Sequence, residues 1–182
     1  MKSIFVLALI CFLSYSCTSS KSATPAELEA LQTLVASRKF EIKSDWANPM
    51  ATNALMSLQK AGLFPVGSSA NSVSLLGNPN YLRIKGDSVF ADLPYFGEVQ
   101  SLSYSNDGSG IQFETLLEDY EVERNEKSQN YKLKFKAKGR YESFNVFLTF
   151  FPNGRSSMRI SGTKRNSIEY TGEVSSLKTE RE

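Results

Sequence analysis

From residue 131 to residue 138 every second position is a lysine, and between the lysines stand Tyr131, Leu133, Phe135 and Ala137. A period of two marks extended backbone with one wet face and one dry face, because successive side chains point to opposite sides. Residues 119–123 repeat the pattern with acids: Asp119, Glu121 and Glu123 alternate with Tyr120 and Val122. A turn centred on Lys127 and Ser128 sets Glu123 opposite Lys132, Glu121 opposite Lys134 and Asp119 opposite Lys136. It also stacks Val122 on Leu133 and Tyr120 on Phe135. A slip of one residue would drive lysines into the apolar face, so the pattern pins the pairing. Four lysines on one strand face suggest an anion site when read alone. With acids across from them most of the charge is compensated, and the face reads as a solvated ladder.

A second hairpin runs through residues 144–161. Phe144, Val146, Leu148 and Phe150 occupy even positions, and so do Met158 and Ile160. A two-residue Asn153-Gly154 turn would oppose Leu148 to Arg159. A three-residue loop, Pro152-Asn153-Gly154, opposes Leu148 to Met158 and Val146 to Ile160, with Gly154 as the left-handed residue of a bulge. A last strand, residues 167–174, carries Ile168, Tyr170 and Val174 and pairs back through the 162–166 loop.

Shorter strands are expected at residues 40–43, 73–76, 81–85, 88–93, 99–104 and 111–116. Trp46, Ala47, Asn48 and Pro49 are expected to break the first of them. Thr24, Pro25 and Glu27 form a capping-box start. Leu28, Leu31, Leu34 and Val35 then share one face of a helix ending near Lys39. A short helix is expected over 51–61, closed by Gly62. The fold class is mainly β: an antiparallel meander of about nine or ten strands, sandwich or open barrel, with one N-terminal amphipathic helix.

The chain has 182 residues and no histidine. That excludes Ser-His-Asp and Cys-His nucleophile systems and ordinary imidazole metal sites. Its two cysteines are Cys11 and Cys17, so no thiol chemistry or zinc site is expected in the body of the chain. The net charge of +2 is too small to argue for nucleic acid as a partner.

Lys2 precedes an apolar run from Ile4 to Leu13. The run is too short to span a bilayer and suits a signal peptide over 1–16. Ser16-Cys17 resembles a bacterial lipobox, which implies lipidation of Cys17. Residues 17–23 are small and polar, a flexible tether, and residues 24–182 form a single β-rich domain. Thr18 after the cysteine, where an Asp would resemble an inner-membrane retention signal, favours the outer membrane, and the lack of a following acidic run favours its periplasmic face.

Three stretches carry a family resemblance: Tyr81-Leu82-Arg83-Ile84-Lys85-Gly86-Asp87, Asp92-Leu93-Pro94-Tyr95-Phe96-Gly97 and Ile168-Glu169-Tyr170-Thr171-Gly172. The chain resembles the domain of unknown function 4251 family of secreted bacterial lipoproteins, from about Phe40 to Val174. The resemblance implies a mainly β domain in the cell envelope. It implies no activity, and no catalytic residues carry over from it.

The leading functional expectation is a non-enzymatic binding or scaffold module, tethered to the membrane by Cys17. Its partner is an envelope protein, a glycan or a lipid. Leu93, Pro94, Tyr95, Phe96 and Gly97 are the candidate ligand-contact loop, with Pro94 at a strand end and Gly97 supplying a bend or positive φ. The alternative is a lipocalin-like carrier, with Tyr95, Tyr104, Tyr120 and Tyr131 lining a cavity. A third reading, a carboxylate-based hydrolase, would rest on Asp87, Asp92 and Glu98. No metal and no cofactor is expected. The run Asn106-Asp107-Gly108-Ser109-Gly110 is turn chemistry and lacks the ligands of a calcium loop.

Overall fold

The structure, a computed structural model, describes residues 23–99 and 110–177. Helix α1 (Pro25–Ser37) leads into β1 (Lys39–Pro49), α2 (Asn53–Lys60), β2 (Val73–Ser74), β3 (Tyr81–Lys85) and β4 (Ser88–Leu93). Then follow β5 (Ile111–Leu116), β6 (Glu118–Arg124), β7 (Tyr131–Lys138), β8 (Ser143–Phe150), β9 (Arg155–Gly162) and β10 (Ile168–Ser176). The strands form one antiparallel sheet in the order β5-β4-β3-β1-β10-β9-β8-β7-β6, with β2 added beside β1. Strands β5 and β6 are the two ends of that order, yet Leu117 alone separates them in sequence. A one-residue joint can connect opposite edges only if the sheet curls until they meet. The result is a nearly closed, barrel-like sheet. Leu117 is tucked against the core, and its N–H donates to the Asp87 carbonyl at 2.8 Å.

Helix α1 starts as its sequence dictates. Thr24 and Glu27 form the reciprocal capping box, and Pro25 occupies the first turn. The helix stops at Arg38, whose backbone is left-handed at φ 48°. Leu31 and Val35 are buried, and Leu28 and Leu34 are half-buried. The Arg38 guanidinium lies over the Tyr120 ring at 4.4 Å and pairs with Asp87 at 2.9 Å. It thereby links the helix end to β6 and to the β3–β4 turn at one mouth of the barrel.

The expected break at Trp46 is not a break. Strand β1 continues to Pro49, with a register shift between Ser44 and Trp46 that leaves Asp45 as the extra residue. The bulge turns Trp46 outward, and Pro49 costs little as the last residue of the strand. Ser44 pairs with Gly172, where a Cβ would overlap the Lys43 carbonyl oxygen. Only glycine lets β10 approach the bulge that closely.

The two hairpins follow the alternation. Leu148 faces Met158 and Val146 faces Ile160. Gly154 has φ 77°, its N–H donates to Phe151, and the Phe151 N–H donates to Arg155, each at 3.0 Å. Ile168 and Tyr170 of β10 then pair with Ile160 and Met158. On the other hairpin Glu123, Val122 and Glu121 face Lys132, Leu133 and Lys134. The expected Asp119–Lys136 backbone pairing fails: Asp119 is left-handed at φ 52°, and Glu118 takes the place opposite Lys136. This bulge follows directly on the Leu117 joint, where the chain swings from one sheet edge to the other, and Asp tolerates that backbone better than most residues. The side chains pair nonetheless, with Asp119–Lys136 and Glu121–Lys134 at 2.8 Å. Glu118 joins the ladder by reaching Lys138, also at 2.8 Å.

Inward-facing side chains fill the barrel. Phe40, Leu82, Leu93, Val146, Phe150 and Tyr170 have no accessible surface, so no water-sized space touches any of them. Phe40 and Phe150 meet edge to face at 5.1 Å.

Candidate functional site

The Leu93–Gly97 run forms a corner at the barrel end opposite Arg38. Leu93 is the last ladder residue of β4, paired with Ile111 and fully buried. Pro94 ends the strand, and its carbonyl accepts the Tyr170 hydroxyl at 2.8 Å. The Tyr95 ring is buried, and its hydroxyl reaches the Glu98 and Asn166 carbonyls at 3.2 and 3.0 Å. Phe96 packs half-buried on the core. Gly97 is there for space rather than for a positive φ: a Cβ would stand 2.5 Å from the Tyr95 hydroxyl oxygen.

Beneath the corner lies a largely buried ion pair. Arg165 donates from Nε to Glu142 Oε1 at 2.7 Å, and from a terminal nitrogen to the Gly110 carbonyl at 3.1 Å. Its other terminal nitrogen also pairs with Glu142. The guanidinium sits 4.8 Å from the centre of the Tyr95 ring and 5.7 Å from that of Phe144. Glu142 Oε2 accepts the Lys164 N–H at 3.4 Å. Four chain segments meet here: the 94–98 corner, the start of β5, the β7–β8 connection and the β9–β10 connection. Burial pushes the Tyr95 phenol up, against the opposing pull of Arg165. Burial pushes Tyr170 up more strongly. Both phenols stay protonated donors at neutral pH, and neither is poised as a base. The arrangement binds loops to one another and presents no activated nucleophile.

Of the expected tyrosine set, Tyr95 and Tyr120 stand at opposite ends of the barrel. Tyr120 packs on Phe135 at 6.5 Å and under Arg38, at the far mouth from Tyr95. Its hydroxyl is buried without a hydrogen-bond partner among the described residues, and burial raises its pKa against the charge of Arg38. Tyr131 lies beneath Arg124 at 5.9 Å. Nor do Asp87 and Asp92 come together. Asp87 pairs with Arg38 at one end of β4, and Asp92 accepts from Gln112 at 3.0 Å near the other. Five residues of strand at about 3.4 Å each hold these two roughly 17 Å apart, beyond the roughly 5–9.5 Å of a glycosidase pair. Glu98 is exposed beyond the corner. Among the described residues no group of three or more His, Cys, Asp or Glu could hold a metal. Cys17, the leader, Tyr104 and Asn106 to Ser109 lie outside the described residues.

Two features escaped sequence reasoning. Arg165 and Glu142 sit in loops between strands, where a charged residue normally reads as solvated. The other is an open groove of about 670 Å³ between α1 and the β8–β9 turn, lined by Leu31, Leu34, Phe151, Pro152 and Val174 among others. The exposed aromatic Phe151, standing alone after an alternating strand, was its one sequence trace.

The three motif stretches come together. The first and second share the β3–β4 hairpin, and Tyr170 of the third is bonded to Pro94 of the second. Residues 23–174 match the model of a family described as a domain of unknown function, DUF4251. The crystal structure of a DUF4251 family protein from Bacteroides eggerthii superposes with a TM-score of 0.55, covering 83% of this chain and 88% of that one. Identity between the two is 10%, so the likeness is one of fold alone. There is no significant match among curated proteins. With the family model spanning the barrel, its helix and all three motif stretches, the chain belongs to the DUF4251 family.

Proposed function

We propose that this chain is a lipid-anchored cell-envelope protein, held by an acylated Cys17 at the periplasmic face of the outer membrane, and that it works as a binding module without turnover chemistry. The observation that carries this reading is how the polar chemistry is spent. Tyr95, Tyr170, Arg165 and Glu142 are bonded to one another and to backbone carbonyls. Among the surface depressions of the described residues, the groove beside the helix that the tether enters is the most strongly apolar one. An internal cup of the lipocalin kind finds no support, because the inward residues named above touch no free space.

The test combines labelling and fractionation. Cells fed a clickable fatty acid should label the wild-type chain and hold it in the membrane fraction, and Cys17→Ser should lose both the label and the membrane association. An unlabelled wild-type chain in the aqueous fraction overturns the anchor. Sustained turnover of an envelope glycan or lipid by the purified chain overturns the non-catalytic role.

A further inference from the structure

The groove lies against α1 and is bounded by exposed Phe151 on its far side. Buried Leu31 and Val174 and half-buried Leu34 form its base. Its lining runs from Ala26 to Ser37 along the helix, a length of about 17 Å at about 1.5 Å per residue. That is close to one leaflet of a bilayer, half of a hydrocarbon core about 30 Å thick. The volume of about 670 Å³ is that of a small-ligand site. The dimensions and the lining suit a single acyl chain.

The length of chain before the helix identifies a source for it. Cys17 stands seven residues before Thr24, the cap of α1. Such a tether spans at most about 25 Å, and the groove begins at Ala26. A group attached to Cys17 is held near the groove at an effective concentration of the order of millimolar. Charge favours the same occupant. Glu27 and Glu29 line the groove on the first turns of the helix, and they would repel the phosphate of a free phospholipid. The glyceride of a lipidated cysteine is uncharged.

We propose that the groove shelters one acyl chain of the lipid carried by Cys17 whenever that chain is out of the bilayer. This rests on the lipidation put forward above. Such a site would cover apolar surface during transit between membranes and release it on arrival.

The experiment uses the full chain, labelled in cells fed a fatty acid that is both clickable and photoactivatable, then purified in detergent and freed of it so that no bilayer competes for the lipid. After irradiation, crosslinks are mapped by mass spectrometry. The expected result is a lipid attached at Cys17 and crosslinked to peptides containing Ala30, Leu34 or Phe151. Ala30→Trp and Thr33→Phe are substitutions at exposed helix positions that fill the groove. They should lower those crosslinks about tenfold while the Cys17 label and the thermal unfolding midpoint stay unchanged. A Cys17 label whose crosslinks go only elsewhere, or are unaffected by both blocking variants, overturns the groove and leaves the anchor standing. Groove crosslinks that persist in Cys17→Ser identify a free lipid as the occupant and overturn the self-anchoring proposal. Absence of any label on the wild-type chain overturns the anchor and the groove together.

Discussion

The Arg165–Glu142 pair and the β6–β7 ladder use the same chemistry, a cation against a carboxylate, in opposite surroundings. In the corner the two side chains are 12% and 7% exposed, flanked by the Tyr95 and Phe144 rings. In the ladder Lys134 and Glu121 are 52% and 64% exposed, and Lys136 and Asp119 are 56% and 65% exposed. Water and salt screen the ladder, so its charges specify register and add little stability. The corner is screened far less, and its charges tie four chain segments together. Counting ion pairs would rank the ladder first; burial reverses the order.

The largest expected effect separates the two regions directly. Arg165→Met strands a buried carboxylate, and Glu142→Gln strands a buried guanidinium. Each should cost up to about 3–5 kcal/mol, the penalty for breaking a fully buried pair by removing one partner. The double variant should cost less than the sum, because the second change removes the orphan left by the first. Lys134→Ala, a control on the ladder, should fall in the range of about 0–1 kcal/mol for exposed pairs. Urea unfolding monitored by circular dichroism measures all four. Equal costs at the two sites would abolish the distinction.

An intermediate effect tests whether the corner is held by charge alone. Tyr170→Phe keeps the buried ring but leaves the Pro94 carbonyl without its donor. It should cost about 1–3 kcal/mol, the penalty for an unsatisfied buried acceptor. Amide hydrogen exchange should quicken around residues 93–99 and stay unchanged on β6. Protection that falls uniformly over the barrel would mean that the Tyr170–Pro94 bond is not a local clamp.

The sequence disclosed the barrel far better than the corner, for a physical reason. Alternation is a local signal, so the even apolar positions of β8, β9 and β10 set two strand pairings, β8 on β9 and β9 on β10, without tertiary knowledge. The three-residue loop at Pro152 to Gly154 followed from the same parity. Closure was less legible. It depends on Leu117 joining the two sheet edges, and one leucine between strands carries no periodicity. Trp46 to Pro49 misled because a bulge changes parity: with Asp45 as an extra residue, outward Trp46 and inward Ala47 look like a broken strand. The corner was recognisable as a motif but not as a mechanism. Gly97 invites a backbone explanation, and only the folded chain brings the Tyr95 hydroxyl over it. Arg165 and Glu142 lie 23 residues apart in two loops, and no spacing rule predicts that pairing.

The smallest effect concerns Asp119, and it sharpens the comparison through pH. The Lys136 ammonium bonds the Asp119 carboxylate and adds its charge, which holds that carboxyl below the usual range. The reciprocal interaction raises Lys136. For a carboxylate with a depressed folded-state pKa, the stabilisation is present above the unfolded value of about 3.9 and is lost as pH falls through the folded one. The Asp119–Lys136 pair therefore stays intact across neutral and mildly acidic pH and is lost only as pH falls through the depressed Asp119 value. Because both groups are exposed to water, the consequence for the unfolding midpoint at pH 7 should be too small to measure. The pair is visible instead by carboxyl carbon NMR. Lys136→Met should move the Asp119 titration midpoint upward, toward that of an ordinary aspartate. About 1 M salt, with a Debye length near 3 Å, should shift it partway in the same direction. Neither change should alter amide protection in the corner. An Asp119 midpoint insensitive to both would show that the Asp119–Lys136 bond does not persist in water, and it would reduce the ladder to a device for register alone.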